Sequence, residues 1–223
     1  MGVSVAIAIE DALSEVVWRR VIKHARRDLT IGARYPETEL PGGRYNPRNV
    51  RGARGLSGFG QLRVRLPAFN HAAASGEPVF VLTDLDVHAQ CPGDVLLAWL
   101  PKGTRRSRNL VFRVAVKEVE AWLLADRANF ADFLAVDSAH LPGRIESIAD
   151  PKLEIVRLAR LSASADVVNN LVPRAGSTAE VGRLFERSLL NFARQQWDID
   201  EAERQSRSLR RAIRAISRFR LVK

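Results

Sequence analysis

Val79-Phe80-Val81-Leu82-Thr83-Asp84-Leu85-Asp86 is the stretch on which the fold turns. Its first four residues are apolar without a break, the pattern of a short strand buried on both faces, as in a parallel sheet. The run ends in Thr-Asp-Leu-Asp. Alternate positions of an extended segment point the same way, so Asp84 and Asp86 can address one centre while Leu85 faces the core.

Upstream, Val3 to Ile9 (VSVAIAI) is a second buried run, followed at once by Glu10 and Asp11. Leu13, Val16, Val17 and Val21 then recur at helical spacing, which predicts a helix to about Arg27. Downstream, Leu110 to Val116 (LVFRVAV) is a third strand, leading into a helix over Glu118 to Asp126. Helices are also expected over Leu62 to Ala74, ending at Gly76, and over Val95 to Leu100. Strands alternating with helices predict an α/β fold, a mostly parallel sheet with helices on both faces. Ile31 to Gly60 loses all periodicity and holds seven of the fourteen glycines, so it reads as a long basic loop around Arg44, Arg48, Arg51 and Arg54. After Ala135 only helical patterns follow, at Pro151 to Leu161, Thr178 to Gln195 and Asp200 to Phe219. The expected organisation is therefore a core over 1–135 and a helical C-terminal extension over 136–223.

The 223 residues carry 35 Lys and Arg against 25 Asp and Glu, a net charge of +10. That excess points to a polyanion, because clustered Lys and Arg release counterions from phosphate backbones. The distribution agrees. Twelve basic residues face three acidic ones between Arg19 and Arg65, and eight more lie between Arg204 and Lys223. In the last predicted helix Leu209, Ile213 and Ile216 form a narrow stripe, opposite Arg207, Arg211, Arg214 and Arg218. Lys102, Arg105 and Arg106 add a third basic stretch. A single cysteine, Cys91, excludes a disulfide framework and fits a reducing, cytoplasmic setting. No apolar run approaches the roughly 20 residues of a membrane helix.

Three predicted strands each deliver a carboxylate at their carboxyl end, where ligands bind in open parallel sheets. They are Glu10, then Asp84 with Asp86, then Glu118 with Glu120. Clustered carboxylates repel and need a hard cation; Mg²⁺, or Mn²⁺ in its place, takes oxygen ligands and supports phosphodiester cleavage. On the predicted helix Glu118 and Glu120 lie about 200° apart, so both cannot point at one centre, and geometry does not choose between them. Other chemistries lack their residues. There is no G-x-x-x-x-G-K-[ST] phosphate loop. The histidines are scattered, and the four tryptophans fall mostly in helical patterns and read as core.

A strand-end Glu followed by a later D-x-D resembles the Toprim fold of topoisomerases, primases and nucleases of the overcoming-lysogenization-defect type. More closely, VLTDLD, RVAVKEVEAWLLAD, Pro151-Lys152 and SRSLRRAIRAI resemble a small bacterial Toprim-like family often encoded beside ATPases. The resemblance runs from Val3 to the last helix and is most specific in E-x-W-L-L-A-D. It implies an Mg²⁺ site on Glu10, Asp84 and Asp86, favours Glu120 over Glu118 as the added acid, and gives Glu10 an acid/base or metal-linked role. It further implies an ABC-type ATPase acting in trans, in antiviral defence. The two tyrosines, Tyr35 and Tyr45, fall in the basic loop, which argues against topoisomerase chemistry. The expected activity is an Mg²⁺-dependent nuclease. The alternative is a non-catalytic Toprim-like module that binds nucleic acid or the ATPase. Oligomeric state stays open.

Overall fold

The computed structural model describes residues 2–35, 58–85 and 91–222. Strands and helices alternate through β1 (Val3–Ala8), α1 (Ala12–Ala25), β2 (Leu29–Tyr35), α2 (Gly58–Ala74), β3 (Val79–Asp84), α3 (Pro92–Trp99) and β4 (Leu110–Ala115). Helices alone follow: α4 (Val119–Leu124), α5 (Arg127–Leu134), α6 (Pro151–Ala159), α7 (Ala165–Leu171), α8 (Phe185–Gln195), α9 (Ile199–Gln205) and α10 (Arg207–Ser217). Short 3-10 turns lie at Ser138–His140 and Ile145–Ser147. The expected α/β class is what forms: a four-stranded, wholly parallel sheet in the order β2-β1-β3-β4. Among the described residues no helix is long and apolar enough to cross a membrane.

The chain packs as two compact units, Met1–Ala115 with Arg211–Lys223, and Val116–Arg210. The division falls before α4, earlier in the sequence than the change of composition at Ala135. The end of the chain returns to the first unit. The second unit is thus inserted between β4 and the latter part of α10.

In the first unit the sheet is the core. β3 is buried from Val79 to Thr83, and β1 from Val5 to Ala8. Register pairs Phe80 with Val111 and Val81 with Phe112, so alternate residues face opposite helical layers. On one face Trp99 of α3 stacks edge-on against Phe112 at 5.5 Å, and Phe69 of α2 against Tyr35 at 4.7 Å. On the other face Phe219, just past α10, meets Phe80 at 5.0 Å. The connection from β1 leads out to β2, and the one from β3 leads out to β4. Right-handed crossovers therefore put α1 opposite α2 and α3.

β2 corrects one expectation. Leu29-Thr-Ile-Gly-Ala-Arg-Tyr35 was to open the long loop, yet it is an edge strand with only its ends buried. At Gly32 a Cβ would lie 2.3 Å from Ser4 Oγ, so that exposed hydroxyl would have to turn away to admit a side chain. Residues 58–60, also assigned to the loop, form the first turn of α2. The rest of that stretch, with Arg44, Arg48, Arg51 and Arg54, lies outside the described residues.

The second unit is held by a buried polar network. Ser206 ends α9 and caps α10, its Oγ accepting from Leu209 N at 3.2 Å. The predicted helix over Asp200 to Phe219 is therefore two helices. The Ser206 hydroxyl donates to Glu146 Oε1 at 3.0 Å, and Ser208 N also donates to that oxygen. Ser208 Oγ in turn accepts from Trp122 Nε1 at 2.8 Å, and Trp197 Nε1 donates to the Trp122 carbonyl at 3.2 Å. Ser208→Ala is expected to leave a buried indole N–H without an acceptor and to cost about 1–3 kcal/mol in urea unfolding. An unchanged midpoint would show that Trp122 finds another acceptor. Thr178 to Gln195 is helical only from Phe185, and α7 is a helix that periodicity does not flag.

Candidate active site

Sheet order creates the site. β1 and β3 are neighbours whose connections depart in opposite directions, which opens a crevice at their carboxyl ends. Glu10 follows β1, and Asp84 is the last residue of β3. The Glu10 carboxylate reaches across: its Oε1 accepts from Thr83 Oγ1 at 2.5 Å and from Asp84 N at 2.9 Å. Thr83 is buried, so the hydroxyl that holds Glu10 is itself fixed. Two donors on one carboxylate oxygen orient the group. The other oxygen, Oε2, lies against the start of α2. A Cβ on Gly58 would stand 3.3 Å from it, and the positive φ of +47° there favours glycine.

Asp86 lies outside the described residues, so the second carboxylate of D-x-D has no structural account. Leu85 faces inward as expected, at 9% exposure, and its N–H donates to the Ala115 carbonyl at 2.9 Å. Among the described residues no group of three or more His, Cys, Asp or Glu side chains is placed to hold a metal ion.

Glu118 and Glu120 belong to the second unit. Glu118 is the N-cap of α4, with extended backbone (φ −140°, ψ 164°), while Glu120 sits in the first turn. The 200° separation assumed that both were helical, and that assumption fails. With one residue extended, both carboxylates approach one ammonium: Lys152 Nζ lies 3.1 Å from Glu118 Oε1 and 3.7 Å from Glu120 Oε1. Glu120 is the buried member, its side chain 5% exposed against 26% for Glu118. Lys152 occupies the first turn of α6, set by Pro151 at the helix start and by Asp150, whose carboxylate accepts from Leu153 N at 2.9 Å.

Asp126, the last residue of E-A-W-L-L-A-D, has a structural role. It is fully buried, and its Oδ2 accepts from Asp198 N at 2.7 Å and from Asn129 Nδ2 at 2.9 Å. Burial pushes its carboxyl above the usual aspartate value, against the pull of those hydrogen bonds.

The basic residues divide by position. Lys102, Arg105 and Arg106 are exposed in the loop after α3. Arg207, Arg211, Arg214 and Arg218 are exposed along or just past α10, while Leu209, Ile213 and Ile216 are buried, as their spacing predicts. All four tryptophans are buried. Sequence reasoning missed Thr83 and Gly58 as partners of Glu10. A hydroxyl closing an apolar strand beside D-x-D was the available signal for Thr83; nothing local marks Gly58.

The fold and site define a class: an α/β protein with a parallel sheet whose switch-point crevice carries acidic side chains. Comparisons with protein-family models, curated proteins and solved structures find no match for this chain.

Proposed function

We propose that the protein is a metal-dependent nuclease that hydrolyses phosphodiester bonds at the β1–β3 crevice. The supporting observation is the docking of Glu10 onto the Thr83-Asp84 segment, which ties the first strand-end carboxylate to the Thr83 hydroxyl and to the backbone of the second strand-end acid. The donor set suits Mg²⁺: the groups are hard carboxylate oxygens, and glycine at 58 keeps α2 clear of Glu10 Oε2. Glu10, Asp84 and Asp86 would hold the ion, which when bound polarises a phosphoryl oxygen and acidifies water. The chain's own contribution is orientation and proton transfer. Thr83 and the Asp84 amide hold Glu10 Oε1, so the carboxylate is fixed where it can take the proton of an attacking water. As the new P–O bond forms, the opposite P–O bond breaks and the leaving oxygen is protonated from solvent. The exposed arginines position the polymer through its backbone, with no base reading.

An ABC-type ATPase in trans, and a part in antiviral defence, rest on the resemblance of VLTDLD, E-A-W-L-L-A-D and SRSLRRAIRAI alone. The deciding experiment incubates the purified chain with DNA and RNA, with Mg²⁺, with Mn²⁺ and with chelator. Metal-dependent cleavage, alone or with an added ATPase, supports the reading; binding without cleavage in every condition removes it. One observation favours that second, non-catalytic reading. Lys152 places a protein cation on Glu120, the added acid that the resemblance favours for metal, and on its neighbour Glu118.

Polyanion binding makes a separate prediction. Replacing Arg207, Arg211, Arg214 and Arg218 together with Gln is expected to weaken nucleic-acid binding uniformly across sequences and to lower the log–log salt slope by about 3. Titrations at several salt concentrations check it. An unchanged slope would show that the row is a plain solvated face.

A further inference from the structure

A charged residue interrupts the apolar strand β4. Arg113 pairs in register with Leu82, two positions before Asp84 at the end of β3. It shares the sheet face of Phe80 and Val111, the face on which Phe219 packs. Its Nε is buried and has no hydrogen-bond partner among the described residues. Arg113 is half-buried, and a guanidinium with a buried nitrogen ordinarily has a carboxylate beside it, because an unpaired internal charge is costly. Here the neighbouring charges are two more arginines: Arg106, from the loop before β4, and Arg211, from α10. Burial and these two cations together hold the Arg113 guanidinium below its usual pKa. No hydrogen bond or ion pair within the described residues engages any of the three side chains.

Three segments thus bring cations together without a counter-ion among the described residues. Such an arrangement is complete only with an anion, and planar guanidinium forks match the oxygens of a phosphate. Arg211 also belongs to the exposed row that continues through Arg214 and Arg218, so the positive surface extends beyond a single small anion. A polymer of phosphates matches that extent. We propose that Arg106, Arg113 and Arg211 form a binding site for one phosphate group of a nucleic-acid backbone. This rests on the nucleic-acid reading above but not on cleavage. It also makes two basic stretches that are separate in sequence, 102–106 and 211–218, parts of one grip.

The test uses the full chain, Arg113→Met, an Arg106→Gln/Arg211→Gln double variant and, as control, Arg187→Gln, an exposed arginine of α8. Each is titrated with mixed-sequence DNA and RNA oligonucleotides at several salt concentrations, and melted with and without tripolyphosphate. Arg113→Met is expected to bind at least about tenfold more weakly, with a salt slope smaller by about 1. The variant should melt at or above the parent without anion, because a half-buried unpaired charge has been removed, and tripolyphosphate should stabilise the parent but not the variant. If Arg113→Met fails to fold, the double variant carries the same binding and tripolyphosphate criteria. Affinity and slope equal to those of the Arg187→Gln control overturn the site. Tripolyphosphate stabilisation of the parent without oligonucleotide binding at low salt assigns the site to another phosphate source and overturns the nucleic-acid assignment. Binding as described, with no cleavage under any metal, supports the phosphate site while removing the nuclease reading.

Discussion

Asp84→Asn is expected to lower metal-dependent cleavage by about a thousandfold or more, while leaving the metal-free protein at least as stable as the parent. The first half follows from the energy a bound divalent ion supplies, several kcal/mol of barrier, at 1.36 kcal/mol per tenfold. The second half follows from position. Asp84 gives Glu10 its backbone N–H, which the substitution keeps, while the side chain adds negative charge beside a carboxylate already present. Removing that charge relieves repulsion. Mg²⁺ at about thirtyfold over its Kd should stabilise the parent by about 2 kcal/mol and the variant far less. Thermal melts in chelator and in Mg²⁺, beside a cleavage assay, decide the matter. A variant that melts well below the parent in chelator would mean that the Asp84 carboxylate holds the turn. A parent that Mg²⁺ does not shift would mean that the crevice is no metal centre.

The second large effect lies in the inserted unit. Asp126→Ala removes the acceptor that serves both Asp198 N and Asn129 Nδ2, and is expected to cost about 3 kcal/mol in urea unfolding. Asp126→Asn keeps an acceptor and should cost less. The pair also carries a pH signature. Burial raises the Asp126 carboxyl above its ordinary value, so its ionised form opposes folding at neutral pH. That opposition fades as pH falls through the raised folded pKa, and ends below the ordinary aspartate range. Relative to Asp126→Asn, the parent should therefore gain stability as pH drops from 7 toward the aspartate range. Parallel curves for the two proteins would show that the carboxyl is not perturbed by folding.

How much of this could be read in advance depended on burial. Val5 to Ala8 of β1 and Val79 to Leu82 of β3 are unbroken apolar runs because both faces of a central parallel strand are covered there, and they announce themselves. β2 did not. As a half-exposed edge strand it carries Thr30, Gly32 and Arg34, and such a mixture looks like loop. The acids at the strand ends were legible through D-x-D, since spacing fixes their direction. Their contacts were not: Glu10 finds Thr83 across 73 positions, and no local pattern encodes that. The Glu118–Glu120 geometry was misjudged because helix ends cannot be located to one residue from periodicity, and here one residue changes which way a carboxylate points. Ser206 and Ser208 read as part of an amphipathic helix, yet they are its cap and its anchor to Trp122. Arg113 lay hidden inside LVFRVAV, where the charge itself was the only sign.

The return of the chain to its first unit has a consequence for biogenesis. Arg26 Nη1 donates to the Phe219 carbonyl at 2.9 Å, and Asn109 holds Val222 by two hydrogen bonds, 2.8 Å from Nδ2 to the carbonyl and 2.9 Å from Val222 N to Oδ1. As the ribosome makes the chain from the amino end, the four strands emerge long before the segment that closes over Phe80. Until then that face of the sheet offers apolar surface to whatever is near, a chaperone or another nascent chain. The inserted helical unit has already been translated by that time and can fold on local contacts. The nascent protein thus waits on residues 211–222, and the rate at which they arrive and dock sets how long the open face is exposed to misassociation.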